Sequence, residues 1–212
     1  MKQNSQHQCL IYEGSPLSQL PGLAAVTKKK MSENYRCLYL NSPSMTASMS
    51  AHLAAAGVDV TGAIAKGGLV LSSEPTVLDK GKFDIDFMLR KLEEAIDQAL
   101  RDGYQGLFAT GDMTWEFGPE ENFSKLLEYE WRLEKLFHKR PTLSGICQYH
   151  HDTLPLEATR QGLLSHQVLF INETLSLINQ YYSPSEMGAK HESKNPELDK
   201  KISLICKSQY AY

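Results

Sequence analysis

The sequence has no G-x-x-x-x-G-K-[S/T] phosphate loop. Its first strand-like run, Gln8-Cys9-Leu10-Ile11-Tyr12, leads into Glu13-Gly-Ser-Pro-Leu-Ser-Gln-Leu20, which lacks the glycines and the lysine that cradle a triphosphate. Phosphate-loop hydrolysis of nucleotides is therefore not expected. No apolar run approaches the roughly 20 residues needed to cross a bilayer. The first residues also lack an apolar stretch leading to a cleavage site, so a soluble, cytoplasmic protein is expected. Only four cysteines occur, Cys9, Cys37, Cys147 and Cys206, and no two form a C-x-x-C pair. That spacing fits reduced thiols better than a disulfide framework or a structural zinc loop. The formal net charge is −3, and Lys28-Lys29-Lys30 is the only basic cluster. It reads as the solvated last turn of a helix, which leaves no electrostatic footprint for direct nucleic-acid binding.

What is present is alternation. The 212 residues suit one α/β domain with a full core. Strand-like runs at Gln8 to Tyr12, Cys37 to Leu40, Leu69 to Leu71, Leu107 to Thr110, Ser144 to Tyr149 and Val168 to Ile171 are separated by helical stretches. Those stretches run from about Pro16 to Met31, Ser44 to Ala56, Asp84 to Arg101, Pro119 to His138 and Leu156 to Leu164. Strands joined by helices of that length are crossover units. The pattern predicts a three-layer α/β sandwich with a mainly parallel central sheet. Gly67-Gly68 precedes a strand rather than opening a helix, so it reads as a turn and not as a nucleotide loop. From Ser183 to Lys201 the composition turns polar, which divides the chain into a domain over residues 1–182 and a linker and tail over 183–212, with Ile202 to Cys206 docking as a late strand or helix.

Gly106-Leu-Phe-Ala-Thr-Gly-Asp112-Met-Thr-Trp115 is an apolar run ending in an acid and then an aromatic. A buried parallel strand of this kind delivers Asp112 to the carboxyl edge of the sheet, where open α/β folds bind ligands. Trp115 and Glu116 follow just beyond. Tyr12 ends the first strand, and Cys147 and Tyr149 lie on the fifth. The expected ligand-binding set is therefore Tyr12, Asp112, Trp115, Glu116, Cys147 and Tyr149, with the Gly118-Pro119 loop as the element that moves. His7 and Cys9 are two apart and share a strand face opposite to that of Tyr12. If the fifth strand lies beside the first, Cys147 comes within reach, with His150 just past the edge. His7, Cys9, Cys147 and His150 are thus the candidate metal ligands, for zinc or another transition metal. The same residues also support a cysteine–histidine nucleophile. Structural alternatives stand beside each reading: Asp112 capping a turn, buried cysteines as small hydrophobes, Tyr129 and Glu130 anchoring their helix, and His166 bonding a helix-to-strand turn. Glu173 follows the last strand, at the end opposite His166.

Several pieces occur in one order: His7-x-Cys9-x-x-Tyr12, Cys37-Leu-Tyr-Leu40, Gly111-Asp112-Met113-x-Trp115, Leu127-x-Tyr129-Glu130, Ile146-Cys147-Gln148-Tyr149 and Ser165-His166. Together they resemble the MEDS domain, a methanogen/methylotroph sensory domain of the DcmR type that is similar to a degenerate RecA or KaiC ATPase. The resemblance implies a RecA/KaiC-like fold and a sensory or signal-transduction role, with a small, partly apolar metabolite such as a hydrocarbon derivative as ligand. Such modules are often fused to a histidine kinase or a DNA-binding region; neither is recognised here, so the output is expected to pass to a separate histidine kinase or transcription regulator, and homo-oligomerisation is left open. An enzyme using a Cys/His or carboxylate site, a residual NTPase, and a structural oligomeric partner are the alternatives.

Overall fold

A computed structural model describes residues 6–73, 84–114, 123–172, 174–183 and 196–208. Trp115, Glu116, the Gly118-Pro119 loop and Glu173 lie outside them. Seven strands form one mostly parallel sheet flanked by helices, the expected three-layer α/β fold. The strands are β1 (His7–Tyr12), β2 (Arg36–Leu40), β3 (Leu69–Ser72), β4 (Leu107–Asp112), β5 (Leu143–His150), β6 (Val168–Phe170) and β7 (Ser176–Ile178). Their order is β3-β2-β4-β5-β1-β6-β7. The helices are α1 (Leu20–Ser32), α2 (Pro43–Ala55), α3 (Val60–Ala65), α4 (Ile85–Arg101), α5 (Phe123–Lys139), α6 (Leu156–Ser165) and α7 (Pro196–Ser208). None of them is long and apolar enough to cross a membrane. The chain divides into two compact units.

One unit comprises residues 15–111 and 140–145. In it β2 pairs in parallel with both β3 and β4, placing Cys37 beside Leu69 and Phe108. α4 follows from its sequence: the Asp84 side chain accepts the Phe87 N–H at 2.7 Å, and Ile85, Met88, Leu92, Ile96 and Ala99 form one buried stripe. Gly103, at φ +86°, closes it in the left-handed region. The helix expected from Pro16 begins instead as a 3-10 turn over Pro16–Gln19, because Ser15 accepts from Leu17 and Ser18 before the α-helical ladder starts at Leu20. α3 was not legible from periodicity; six residues capped by Asp59 are too few to show one.

The other unit holds residues 1–14, 112–139 and 146–212. β1 pairs in parallel with β6, Gln8 beside Val168 and Cys9 beside Leu169. β6 then turns back into β7, an antiparallel edge of three residues that the sequence pattern did not reveal. The Asn172 side chain makes that turn by accepting the N–H groups of Thr174 and Leu175, each at 2.9 Å. α7 starts at Pro196, inside the stretch read as polar linker. Glu197, Asp199, Lys200 and Lys201 give that stretch its polar composition, whereas Leu198, Ile202, Ile205 and Cys206 recur at helical spacing and are buried. α7 packs against α6 and β1, so Ile202 to Cys206 docks as helix rather than strand. Arg160 of α6 clamps Asp199 through two bonds of 2.7 Å each.

Candidate functional site

The second unit gathers an unusual set of polar side chains on one face of its strands. α5 explains how they arrive. Leu126, Glu130, Leu133 and Phe137 fall on one inward stripe at helical spacing, so a carboxylate occupies a slot otherwise filled by apolar groups. Glu134 lies one turn beyond it. β1 contributes His7 at its first residue. The parallel β1/β6 register places the residues just before β6, among them His166, beside His7, and the two rings stand 4.0 Å apart between centroids. β5 adds Cys147 and, two residues on and hence on the same face, Tyr149.

The hydrogen bonds orient both imidazole rings. His7 Nδ1–H is donated to Glu134 Oε2 at 2.6 Å, and the Tyr182 hydroxyl donates to the other oxygen of that carboxylate at 2.7 Å. His166 Nδ1–H is donated to the Gly162 carbonyl at 2.7 Å, with Ser165 Oγ 2.8 Å away. Each ring thereby turns Nε2, not Nδ1, toward the cluster. His7 Nε2 lies 3.4 Å from Cys147 Sγ and 3.8 Å from Glu130 Oε2, and His166 Nε2 lies 3.6 Å from the same Glu130 oxygen. Phe137 stacks on the His7 ring at 4.2 Å and holds its plane.

Burial makes this set costly. His7, Glu130, Cys147, Tyr149 and His166 are all buried, and both Glu130 oxygens, the Tyr149 hydroxyl and His166 Nε2 have no hydrogen-bond partner among the described residues. Burial raises the Glu130 pKa; the facing His7, the Tyr149 hydroxyl and the Cys147 thiol hold it partly down, without bonds of ordinary geometry. Burial also pulls Glu134 upward, but the His7 hydrogen bond and charge outweigh it and keep that carboxyl below its usual range. For His166, burial and then the neighbouring His7 depress the pKa well below the ordinary value, so the ring is neutral. Burial, followed by the Glu130 charge, pushes both Tyr149 and Cys9 upward.

The residues singled out from sequence do not gather in one place. Cys147 and Tyr149 join His7 on one face, whereas Tyr12 stacks on His150 on the other, with centroids 4.9 Å apart. Alternation along β1 and β5 separates them. His150 is also tied down, with Nε2 2.8 Å from the Gly14 carbonyl and Nδ1 3.1 Å from the Thr153 hydroxyl. The donor atoms that close within 4.8 Å of one another belong to His7, Glu130, Cys147 and His166, a set that contains neither Cys9 nor His150. Cys9 is fully buried on the His7 face. Asp112 is buried and accepts the Thr114 N–H at 2.8 Å, closing a turn; burial raises its pKa, and the Thr114 bonds and His150 partly offset that rise. Trp115 and Glu116 belong to the residues not described. Glu130 and His166, weighed from sequence as a helix anchor and a turn-bonding residue, are instead central, although His166 Nδ1 does bond the end of α6.

The comparisons agree with this architecture. No curated protein matches the sequence. Among solved structures, the flagellar accessory protein FlaH from Methanocaldococcus jannaschii is similar with a TM-score of 0.54 at 14% identity, over 85% of this chain and 80% of that one. At that identity the likeness shows a shared fold. Residues 6–167 match the family described as the MEthanogen/methylotroph, DcmR Sensory domain. That span contains every donor of the buried cluster, and the chain belongs to the MEDS family of sensory domains.

Proposed function

We propose that this sensory domain receives its signal at the buried cluster around His7, Glu130, Cys147, Tyr149 and His166. One observation carries the reading: in a core where buried polar groups are ordinarily satisfied, four polar atoms on three neighbouring side chains are not. A ligand that meets them offsets a cost already present in the folded state. Phe137 and Tyr149 give the site aromatic walls, which suits a small, partly apolar molecule of the hydrocarbon-derivative class. Binding then shifts a conformational equilibrium in proportion to its different affinity for the two states, and the output passes to a kinase or transcription regulator in the cytoplasm.

Thermal melts against a panel of short-chain alcohols, aldehydes and haloalkanes test this. A ligand of the cluster raises the wild-type melting temperature by mass action. Tyr149→Phe removes only an unpartnered hydroxyl, so it keeps or raises the unliganded melting temperature while reducing the ligand increment. Ligand increments that are unchanged in both Tyr149→Phe and Glu130→Gln would exclude the cluster as the receiving site.

A second reading has its own observation. Cys147 Sγ, His7 Nε2 and Glu134 stand in the order nucleophile, base and orienting carboxylate, at 3.4 Å and 2.6 Å. Glu130 argues against it, because a second carboxylate in the same buried site serves a bound cation better than it serves a thiolate. Turnover of an activated ester that is lost in Cys147→Ala would favour the enzyme.

A further inference from the structure

We propose that the cluster holds a divalent transition-metal ion of the zinc class, bound by His7 Nε2, His166 Nε2, Cys147 Sγ and the Glu130 carboxylate. The proposal rests on the reading of the cluster as the receiving site and names the chemistry of what it receives.

Three independent features converge on it. The first is donor chemistry: two imidazole nitrogens, one thiol sulfur and one carboxylate form a mixed set that suits zinc and is too soft for magnesium or calcium. The second is spacing. Zinc bonds of about 2.0–2.1 Å to nitrogen and about 2.3 Å to sulfur in a tetrahedron place neighbouring donors roughly 3.3–3.6 Å apart. The separations here are 3.4, 3.6 and 3.8 Å, with all four donor atoms inside 4.8 Å, so little movement is needed to close on one ion.

The third is the outer layer. Both ligand rings give Nδ1–H away, His7 to a carboxylate and His166 to a backbone carbonyl, the arrangement that fixes a histidine for coordination through Nε2. Tyr182 and the Phe137 ring in turn hold Glu134 and His7 in place. His166 Nε2 and Glu130 Oε2 are buried without hydrogen-bond partners and face each other at 3.6 Å, an arrangement that a cation between them would satisfy at once.

The test uses the full chain. Protein stripped with a chelator and dialysed is titrated with zinc(II) against a chromogenic competitor, and with cobalt(II) followed by visible absorption. The expected result is one equivalent of zinc and a cobalt spectrum with a thiolate-to-metal band, read on unmutated protein so that no variant needs to fold. Glu134→Gln should weaken zinc about 10–100-fold, Cys147→Ser should weaken it further and abolish the band, and His150→Ala on the opposite face should leave both unchanged. Sub-stoichiometric zinc, or a cobalt spectrum without the thiolate band, overturns the proposal. If that happens while organic ligands still respond to Tyr149→Phe, the receiving site stands and only the metal is lost. If zinc binds but responds to His150→Ala instead of Cys147→Ser, this metal centre is wrong.

Discussion

His7 donates its Nδ1–H to Glu134 at 2.6 Å and so presents Nε2, not Nδ1, to Cys147 and Glu130. One helix therefore supplies both the carboxylate that orients the ring and the carboxylate that shares its other side. The difference between them is partnership. Glu134 is fully bonded and ionises readily, while Glu130 is buried with both oxygens unpartnered.

Gly162 lies beneath the Tyr149 ring, where an added Cβ would come within 2.7 Å of two ring carbons. The ring is fully buried, so it has no solvent to swing into. Gly162→Ala is expected to destabilise the fold by about 1–3 kcal/mol through overpacking. Urea melts check this, and an unchanged midpoint would show the ring to be looser than its burial implies.

Asp112→Asn separates turn-capping from ligand recognition. The asparagine oxygen still accepts from Thr114, but the buried charge is gone. Because burial raises the Asp112 pKa above 3.8, the folded state holds its proton longer than the unfolded chain. Wild-type stability from this group is therefore full below the unfolded value and is lost as pH rises through the folded one. The variant should melt progressively higher than wild type across that window, with no gap at the acid end. A variant that melts lower at neutral pH would show that the carboxylate is needed as a charge.

The docking of α7 rests on its apolar face more than on its ion pair. Ile202 is fully buried, and Ile202→Ala should cost about 2–5 kcal/mol. Asp199 is partly exposed, so Arg160→Ala should cost no more than about 1 kcal/mol. The Arg160 bond lowers the Asp199 pKa below 3.8, so its contribution is present above that value and disappears as pH falls through the lowered one. Amide exchange over residues 196–208 reports both effects. Equal losses from the two variants would contradict the ranking.

ATP turnover should stay at background with or without Mg²⁺. Beyond β1, the Gly14 N–H is already donated to the Asp152 carboxylate at 2.7 Å, so a protein anion occupies a backbone donor that a phosphate would need. A Mg²⁺-dependent activity abolished by Asp112→Ala would contradict this.

The crossover pattern made the parallel sheet legible in the sequence, because helices of more than ten residues between short apolar runs leave few other solutions. That His7 and Cys147 come close together was legible once β5 was placed beside β1. The rest of the cluster depends on two facts that periodicity does not carry. His166 reaches His7 only because β6 lies on the other side of β1 in register, and strand order is not written in local sequence. Glu130 left a trace, an acid in the apolar stripe of Leu126, Leu133 and Phe137, and that trace reads equally well as an anchor for its helix. His150 was read as lying just past the edge of β5, whereas β5 runs through it and alternation sends it, with Tyr12, to the face opposite His7.

Imidazole nitrogen resonances from long-range proton–nitrogen NMR test the central claim most directly. In metal-free protein, both His7 and His166 should carry hydrogen on Nδ1, and added zinc(II) should shift both Nε2 resonances together while leaving those of His52 and His150 in place. Hydrogen on Nε2 of either ring, or a response at His150 without one at His7 and His166, would contradict the cluster as the site that binds the ion.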